Sequence, residues 1–176
     1  MKGNKFIIIF LLKAIGVYAV WYVLYDLWLK KSGAFDNWVI DGIISATFTL
    51  LTFLNYNVNV DYHDIGITGA FSNIVVGPGC NGVELYALFA GFVLIFEGSW
   101  KHKVWFIPVG VLVIYFFNVL RVAGLAINGL YSLARLEFNH KYTYTILMYM
   151  LTFIGWMIWV KYFAGSKAKK DAAEMA

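Results

Sequence analysis

The sequence predicts a mostly α-helical protein, a polytopic bundle of transmembrane helices with a small extracytoplasmic β-hairpin. Of its 176 residues, 61% are hydrophobic and only 14% are charged, whereas a soluble domain of this length carries more charge. The apolar residues form long blocks, and the lysines stand at the ends of those blocks, as in a chain that crosses a bilayer. The net charge of +4 is modest and forms no basic stripe, so no nucleic-acid partner is expected.

Four apolar blocks are long enough to span a membrane. Each could cross a hydrocarbon core of roughly 30 Å as a helix, the second only just. The first follows two lysines and no cleavage site succeeds it, so it is predicted to be a retained signal anchor. The third is expected to continue as a helix to about residue 133. The blocks cover residues 6–28, 81–96, 104–120 and 142–163.

The lysines predict the orientation of the chain. With four spans, the lysines near the N-terminus, those at positions 101 and 103, and those of the C-terminal tail fall on one side. The positive-inside rule makes that side cytoplasmic; Lys30 and Lys31 are then the one misfit. We therefore predict one membrane-embedded domain over residues 1–165 in the cytoplasmic (inner) membrane. Residues 166–176 are predicted to be a disordered, basic cytoplasmic tail.

The segment 35–54 decides the number of spans. Its polar residues recur every three or four positions and so share one helical face, while isoleucines and leucines occupy much of the other. This pattern is typical of a helix that lies in the outer interface or packs against the bundle. Four spans plus this amphipathic helix are favoured, and five spans are the alternative. The polar residues are Asp41, Ser45, Thr49 and Thr52.

The segment 55–79 alternates between polar and apolar residues, which predicts β-structure. A first strand begins near Asn55, a turn is expected near His63 to Gly66, and a second strand near Phe71 to Val76. Glycine and proline at positions 77–79 then end the strand and lead the chain into the next helix.

The lone cysteine, Cys80, lies at or just before the N-terminus of the second span. Free N–H groups and the helix dipole at such a position stabilise a thiolate. The alternative is a small residue that packs at a helix cap. A single cysteine excludes an internal disulfide.

Two further residues are expected at the same depth as Cys80. Arg121 lies in apolar sequence, where an ionisable side chain without a partner costs several kcal/mol, so a functional role is its default interpretation. Its place along the third block, about 26 Å from Val104, puts it near the outer boundary of the hydrocarbon. His140 precedes the fourth block, which starts at that boundary. Snorkelling to the interface is the alternative for Arg121, and a polar loop for His140.

A Cys, an Arg and a His at one level fit nucleophilic catalysis on an acyl group. His140 would take the thiol proton of Cys80 and later protonate the leaving amine, and Arg121 would stabilise the oxyanion. No cofactor is needed, and the sequence has no metal-binding or nucleotide-binding motif. Supporting roles are predicted for Asn81, Glu84, Asn118 and Asn139, with purely structural hydrogen bonding as the alternative.

Three stretches resemble the exosortase/archaeosortase superfamily, most closely its short exosortase X-like members. They are Gly79-Cys80-Asn81-Gly82-Val83-Glu84-Leu85, Phe117-Asn118-Val119-Leu120-Arg121-Val122 and Phe138-Asn139-His140. The resemblance runs from about Asn37 to Phe163. Many members have about eight spans, for which this chain has no room.

The resemblance implies a membrane cysteine protease or transpeptidase that acts at the outer face of the cytoplasmic membrane. Its partners would be exported proteins with a C-terminal sorting tail, made of a short motif, a hydrophobic helix and a basic cluster, together with membrane lipid. The family's Cys, Arg and His correspond to Cys80, Arg121 and His140. Two other hypotheses remain open at this point: an inactive membrane scaffold or assembly subunit, and a thiol-dependent acyltransferase that moves lipid acyl groups.

Overall fold

The computed structural model describes the backbone of residues 2–165 and the side chains of residues 7–165. It confirms a mostly helical chain with a small sheet, and the tail predicted at 166–176 lies outside the described residues. Helix α1 covers Lys2–Trp21 and continues through Tyr22–Leu29 and Lys30–Ser32. The remaining helices are α2 (Ala34–Phe53), α3 (Val83–Ile95), α4 (Trp100–Gly129) and α5 (Leu133–Phe163), and the strands are β1 (Val58–Asp61), β2 (Asp64–Ile67) and β3 (Ile74–Val75).

Three helices are long and apolar enough to cross a membrane: Ile7–Ser32, Trp100–Gly129 and Leu133–Phe163. They correspond to the first, third and fourth predicted spans. The second predicted span becomes α3, which is apolar but has only 13 residues. At about 1.5 Å per residue, α3 reaches about 20 Å, less than the thickness of a hydrocarbon core.

Helix α2 has the two faces that its sequence predicts. The four polar residues of the predicted polar face, Asp41, Ser45, Thr49 and Thr52, are all exposed. The opposite face is buried, and its residues include Ile40, Ile43, Ile44 and Leu51. The alternation follows the helical period, so α2 packs on the protein through this buried stripe.

The sheet has three antiparallel strands in the order β1-β2-β3, not the two of the predicted hairpin. The turn predicted at His63 to Gly66 was wrong, because Asp64–Ile67 forms β2. The chain reverses within two residues, where Tyr62 takes a left-handed φ of 52°. Gly66 lies inside strand β2. Glycine is required there because a Cβ would overlap the Asn73 side chain.

The third block does not continue as a helix to residue 133. Helix α4 ends at Gly129, whose carbonyl accepts a hydrogen bond from the Phe71 N–H at 2.9 Å. A new helix starts after Ser132, which caps it by accepting from the Arg135 N–H. His140 was therefore wrongly predicted to precede the helix: it lies inside α5, in a wide π-type turn over Asn139–Thr143.

The chain divides into two compact units. The first comprises residues 2–32, 84–112 and 151–165 of the described chain. Its core is aromatic: Trp159 is fully buried, and its ring centroid lies 5.1 Å from that of Phe106. Lys103 is buried in this unit, and its ammonium donates 2.7 Å hydrogen bonds to the carbonyls of Leu94 and Phe96. These bonds satisfy carbonyls at the C-terminal end of α3.

The second unit comprises residues 33–83 and 113–150. It contains α2, the sheet, the second half of α4 and the first part of α5. Its buried residues come from all of these elements; among them are Ile40, Ile65, Val76, Leu125 and Leu136. Cys80, Arg121 and His140 all belong to this unit.

Candidate active site

Cys80 ends a short 3-10 turn, Pro78–Cys80, that follows the sheet. Proline at the first position of this turn has the φ that the turn requires, and the Cys80 N–H donates to the Gly77 carbonyl at 2.8 Å. Two residues, Asn81 and Gly82, separate Cys80 from the first residue of α3. Gly82 has a φ of 78°, a conformation that favours glycine. The Cys80 residue is half-buried.

Asn81 occupies the N-terminal end of α3 that the sequence had assigned to the thiol. Its Oδ1 accepts a 3.0 Å hydrogen bond from the Val83 N–H, the first N–H of the helix. The first N–H of α3 is thus paired with the Asn81 amide oxygen and not with the thiol. The Asn81 side chain is fully buried, and its Nδ2 donates a 2.6 Å hydrogen bond to Asp36 Oδ1 on α2.

Helix α4 contributes two residues, Asn118 and Arg121, which lie three positions apart and therefore on one face. Asn118 is fully buried, and its Nδ2 donates a 2.8 Å hydrogen bond to the Cys80 carbonyl. Arg121 Nη2 lies 4.0 Å from Cys80 Sγ. No carboxylate among the described residues of this unit forms a salt bridge with Arg121.

Helix α5 contributes His140, whose Nε2 lies 3.3 Å from Cys80 Sγ. The π-type turn that carries His140 is held from the next turn of the helix, where Thr145 Oγ1 donates to the His140 carbonyl at 3.2 Å. Such turns widen a helix by one residue and occur often at functional sites. Here the turn places the imidazole against the sulfur.

Three segments therefore bring a thiol, an imidazole and a guanidinium into contact. The imidazole nitrogen is within hydrogen-bond distance of the sulfur, which permits proton transfer in either direction. The guanidinium stands beside the same sulfur, where it can stabilise negative charge that develops on an attacked carbonyl oxygen. Two polar atoms here, Arg121 Nε and Asn118 Oδ1, are buried without a hydrogen-bond partner in the described structure. Such unpaired groups are uncommon in folded proteins and require an explanation, of which a catalytic role is one.

The other predicted supporting residues differ in their surroundings. Asn139 Oδ1 accepts a 2.9 Å hydrogen bond from Thr143 Oγ1, within the turn that carries His140. Glu84 is exposed in the first turn of α3 and belongs to the other compact unit. Within residues 7–165, no group of three or more His, Cys, Asp or Glu side chains is arranged to hold a metal ion.

Sequence reasoning missed Asp36. This carboxyl group is only 2% exposed and is the hydrogen-bond partner of Asn81. An acidic residue in the first turn of a helix is ordinary, since it interacts favourably with the helix dipole. The sequence carries no further signal that Asp36 would meet the residue next to the cysteine.

A comparison with known families matches residues 6–164, nearly the whole described chain, to the model for transmembrane exosortases. The chain belongs to the transmembrane exosortase family. This confirms the resemblance found in the three sequence stretches. Exosortases are membrane-embedded, protein-sorting transpeptidases that act on C-terminal sorting signals. No curated protein and no solved structure gives a significant match to this exosortase.

Proposed function

We propose that this exosortase is a cysteine transpeptidase that cleaves the C-terminal sorting signal of exported proteins at the outer face of the cytoplasmic membrane. Cys80 is the nucleophile, His140 the acid and base, and Arg121 the group that stabilises the oxyanion. The observation that carries this proposal is the 3.3 Å separation between Cys80 Sγ and His140 Nε2, with Arg121 Nη2 at 4.0 Å from the same sulfur.

The first half-reaction transfers an acyl group to Cys80. The thiol proton passes to His140 Nε2 and the sulfur attacks the carbonyl carbon of the scissile peptide, which gives a tetrahedral oxyanion. Collapse of that intermediate breaks the carbon–nitrogen bond. The proton on His140 goes to the leaving amine, so the sorting helix and its basic end depart with a neutral amino terminus. The remaining product is a thioester on Cys80.

Arg121 stabilises the charge that appears between these two steps. A guanidinium beside the sulfur lies close to any carbonyl that the sulfur attacks, and its fixed fork of N–H donors needs no reorganisation when the oxyanion forms. Its buried, unpaired Nε–H is an additional donor. A cation used in this way must lack a competing carboxylate, which is consistent with the absence of an ion pair to Arg121 among the described residues of its unit.

The second half-reaction releases the acyl group to an acceptor. The acceptor nucleophile gives its proton to His140 and attacks the thioester carbonyl carbon, and the thiol of Cys80 is regenerated. Asn118 and Asn81 support both steps because Asn118 holds the Cys80 carbonyl and Asn81 holds the residue that follows the cysteine. Asn139 supports the turn that carries His140. No hydrogen bond or salt bridge among the described residues supports a role for Glu84.

The substrate tail of this proposal has three parts: a short motif, a hydrophobic helix and a basic cluster. The helix lies in the bilayer beside the spans of this protein. The basic cluster remains on the cytoplasmic side, since moving it across the hydrocarbon is costly. The length of the helix then brings the motif to the outer boundary of the membrane, where the cysteine acts.

The nature of the released carboxyl end tests acyl transfer. Membranes containing this protein and a co-expressed protein with such a tail are incubated with hydroxylamine, a strong small nucleophile. We expect the processed protein to end in a hydroxamate, because hydroxylamine competes with the natural acceptor for the thioester. Prior treatment with iodoacetamide, which alkylates Cys80, should stop processing. Processing that continues after complete alkylation of Cys80 would contradict the proposal.

A further inference from the structure

We infer that Asp36 is a positioning residue of the active site: its carboxyl group sets the orientation of the Asn81 amide, and that amide holds Cys80 against His140. This inference rests on the proposed function, since it concerns the same nucleophile. Asp36 lies outside the three stretches that carry the family resemblance. Its contact with Asn81 joins the start of α2 to the end of the cysteine turn.

The Asn81 amide has two neighbours of opposite hydrogen-bonding character. Asp36 Oδ1, at 2.6 Å, accepts a hydrogen bond and therefore requires the NH₂ side of the amide. The Val83 N–H, at 3.0 Å, is a donor and therefore requires the amide oxygen. Only one orientation of the amide satisfies both neighbours. A rotated amide would face donor to donor and acceptor to acceptor in a site that is fully buried.

The same amide limits the movement of Cys80. The residue after the cysteine is held by Asp36 and Val83, the Cys80 carbonyl accepts from Asn118 Nδ2, and the Cys80 N–H donates to Gly77. The backbone of Cys80 is thus held on both sides, and Asp36 acts on this arrangement through the Asn81 amide. Without Asp36, the Asn81 NH₂ group is buried and unpaired, and the amide loses the reason for its orientation.

Small displacements of this turn affect the reaction more than they affect the fold. The sulfur and the imidazole nitrogen are 3.3 Å apart, so a shift of about 1 Å removes the contact and costs about 10²-fold in rate. The fold of the second unit, by contrast, depends on apolar burial along α2, α4 and α5. Asp36 therefore acts on kcat through Asn81, with little effect on KM.

The decisive experiment exchanges the two polar residues. In Asn81→Asp alone, the new carboxyl can accept from Val83, but its second oxygen meets Asp36, acceptor against acceptor. In the double variant Asp36→Asn/Asn81→Asp, the amide introduced at position 36 donates to the carboxyl introduced at position 81, and the pair is restored with reversed polarity. The single variant Asp36→Asn keeps an acceptor for Asn81. Asp41→Asn, an exposed position on the same helix, is the matched control.

The reactivity of Cys80 measures the effect without a substrate. Cys80 is the only cysteine of the chain, so iodoacetamide alkylation in intact membranes reports on it alone. We expect Asn81→Asp to lower the alkylation rate about tenfold and the rate of tail processing about 10²-fold at unchanged KM. The double variant should recover both rates to within about threefold of wild type, as coupled residues do. Asp36→Asn alone should keep both rates within the same range. Asp41→Asn should equal wild type.

The outcomes separate this inference from the proposed function. If the double variant is as slow as Asn81→Asp, or if Asn81→Asp reacts like wild type, Asp36 is not a positioning residue, whatever tail processing shows. If Asn81→Asp does not accumulate in the membrane, Asp36→Ala takes its place, and wild-type alkylation of that variant overturns the inference. If the exchange behaves as expected but Cys80→Ala still processes the tail, the proposed function fails and the positioning of the thiol stands.

Discussion

Replacement of Cys80 by alanine is expected to abolish processing of the sorting tail, with a loss of at least about 10⁴-fold in kcat/KM. The reason is that no other nucleophile is proposed for the site, and removal of the nucleophile from a concerted catalytic group costs nearly the whole of its contribution. The assay is the fraction of a co-expressed, tail-bearing protein that is processed at fixed times.

The same variant should accumulate in the membrane as the wild type does. The Cys80 side chain is half-buried, and the turn is held by backbone groups and by Asn81 and Asn118, which the substitution leaves in place. Ser45→Ala, at an exposed position of α2, is the control for an alanine substitution in this unit. Processing by Cys80→Ala at the wild-type rate would exclude thiol catalysis and favour the interpretation as a scaffold.

Replacement of His140 by alanine is expected to lower the rate of processing about 10³-fold. This lies within the range that a positioned acid and base contributes, about 10² to 10⁴. Both half-reactions use His140, so KM should change little while kcat falls. Because alanine leaves a space where the imidazole was, added imidazole should restore part of the rate.

The control for this prediction is His63→Gln, a histidine of the same compact unit whose Nε2 lies 3.3 Å from Asp41 Oδ1 rather than near the cysteine. It should process the tail as wild type does. Wild-type processing by His140→Ala, or an equal loss in both variants, would contradict the role assigned to His140.

The helices of this fold could be predicted from the local pattern of polar and apolar residues. The two faces of α2 follow from residues three and four positions apart, and a buried apolar stripe opposite a polar one leaves only one way to face the core. Each of the four apolar blocks has a helical counterpart for the same reason, and the shortest of these helices, α3, begins after the Pro78–Cys80 turn. The candidate site could also be predicted from the sequence. A helix rises by a constant amount per residue, so the depths of Arg121 and Cys80 in the membrane could be compared.

The remaining features depend on contacts between distant segments. Gly66 looks like a turn residue in the sequence, and only the Asn73 side chain against it shows why a strand there has glycine. The last residue of α4, Gly129, is hydrogen-bonded through its carbonyl to the N–H of Phe71, which is far away in the chain. Asp36 resembles any acidic residue at the start of a helix until Asn81 is placed beside it. No local pattern encodes such pairs.

The rate at which iodoacetamide alkylates Cys80 in intact membranes tests the account most directly, because it reports whether the imidazole and the guanidinium act on the sulfur and requires no substrate. We expect His140→Ala and Arg121→Gln each to slow alkylation about tenfold or more, since reactivity follows the thiolate that neighbouring cations and bases promote. Arg135→Gln, at an exposed arginine of α5, should leave the rate unchanged. Equal alkylation rates in wild type and all three variants would mean that Cys80 is a packing residue and that the three side chains do not form a catalytic group.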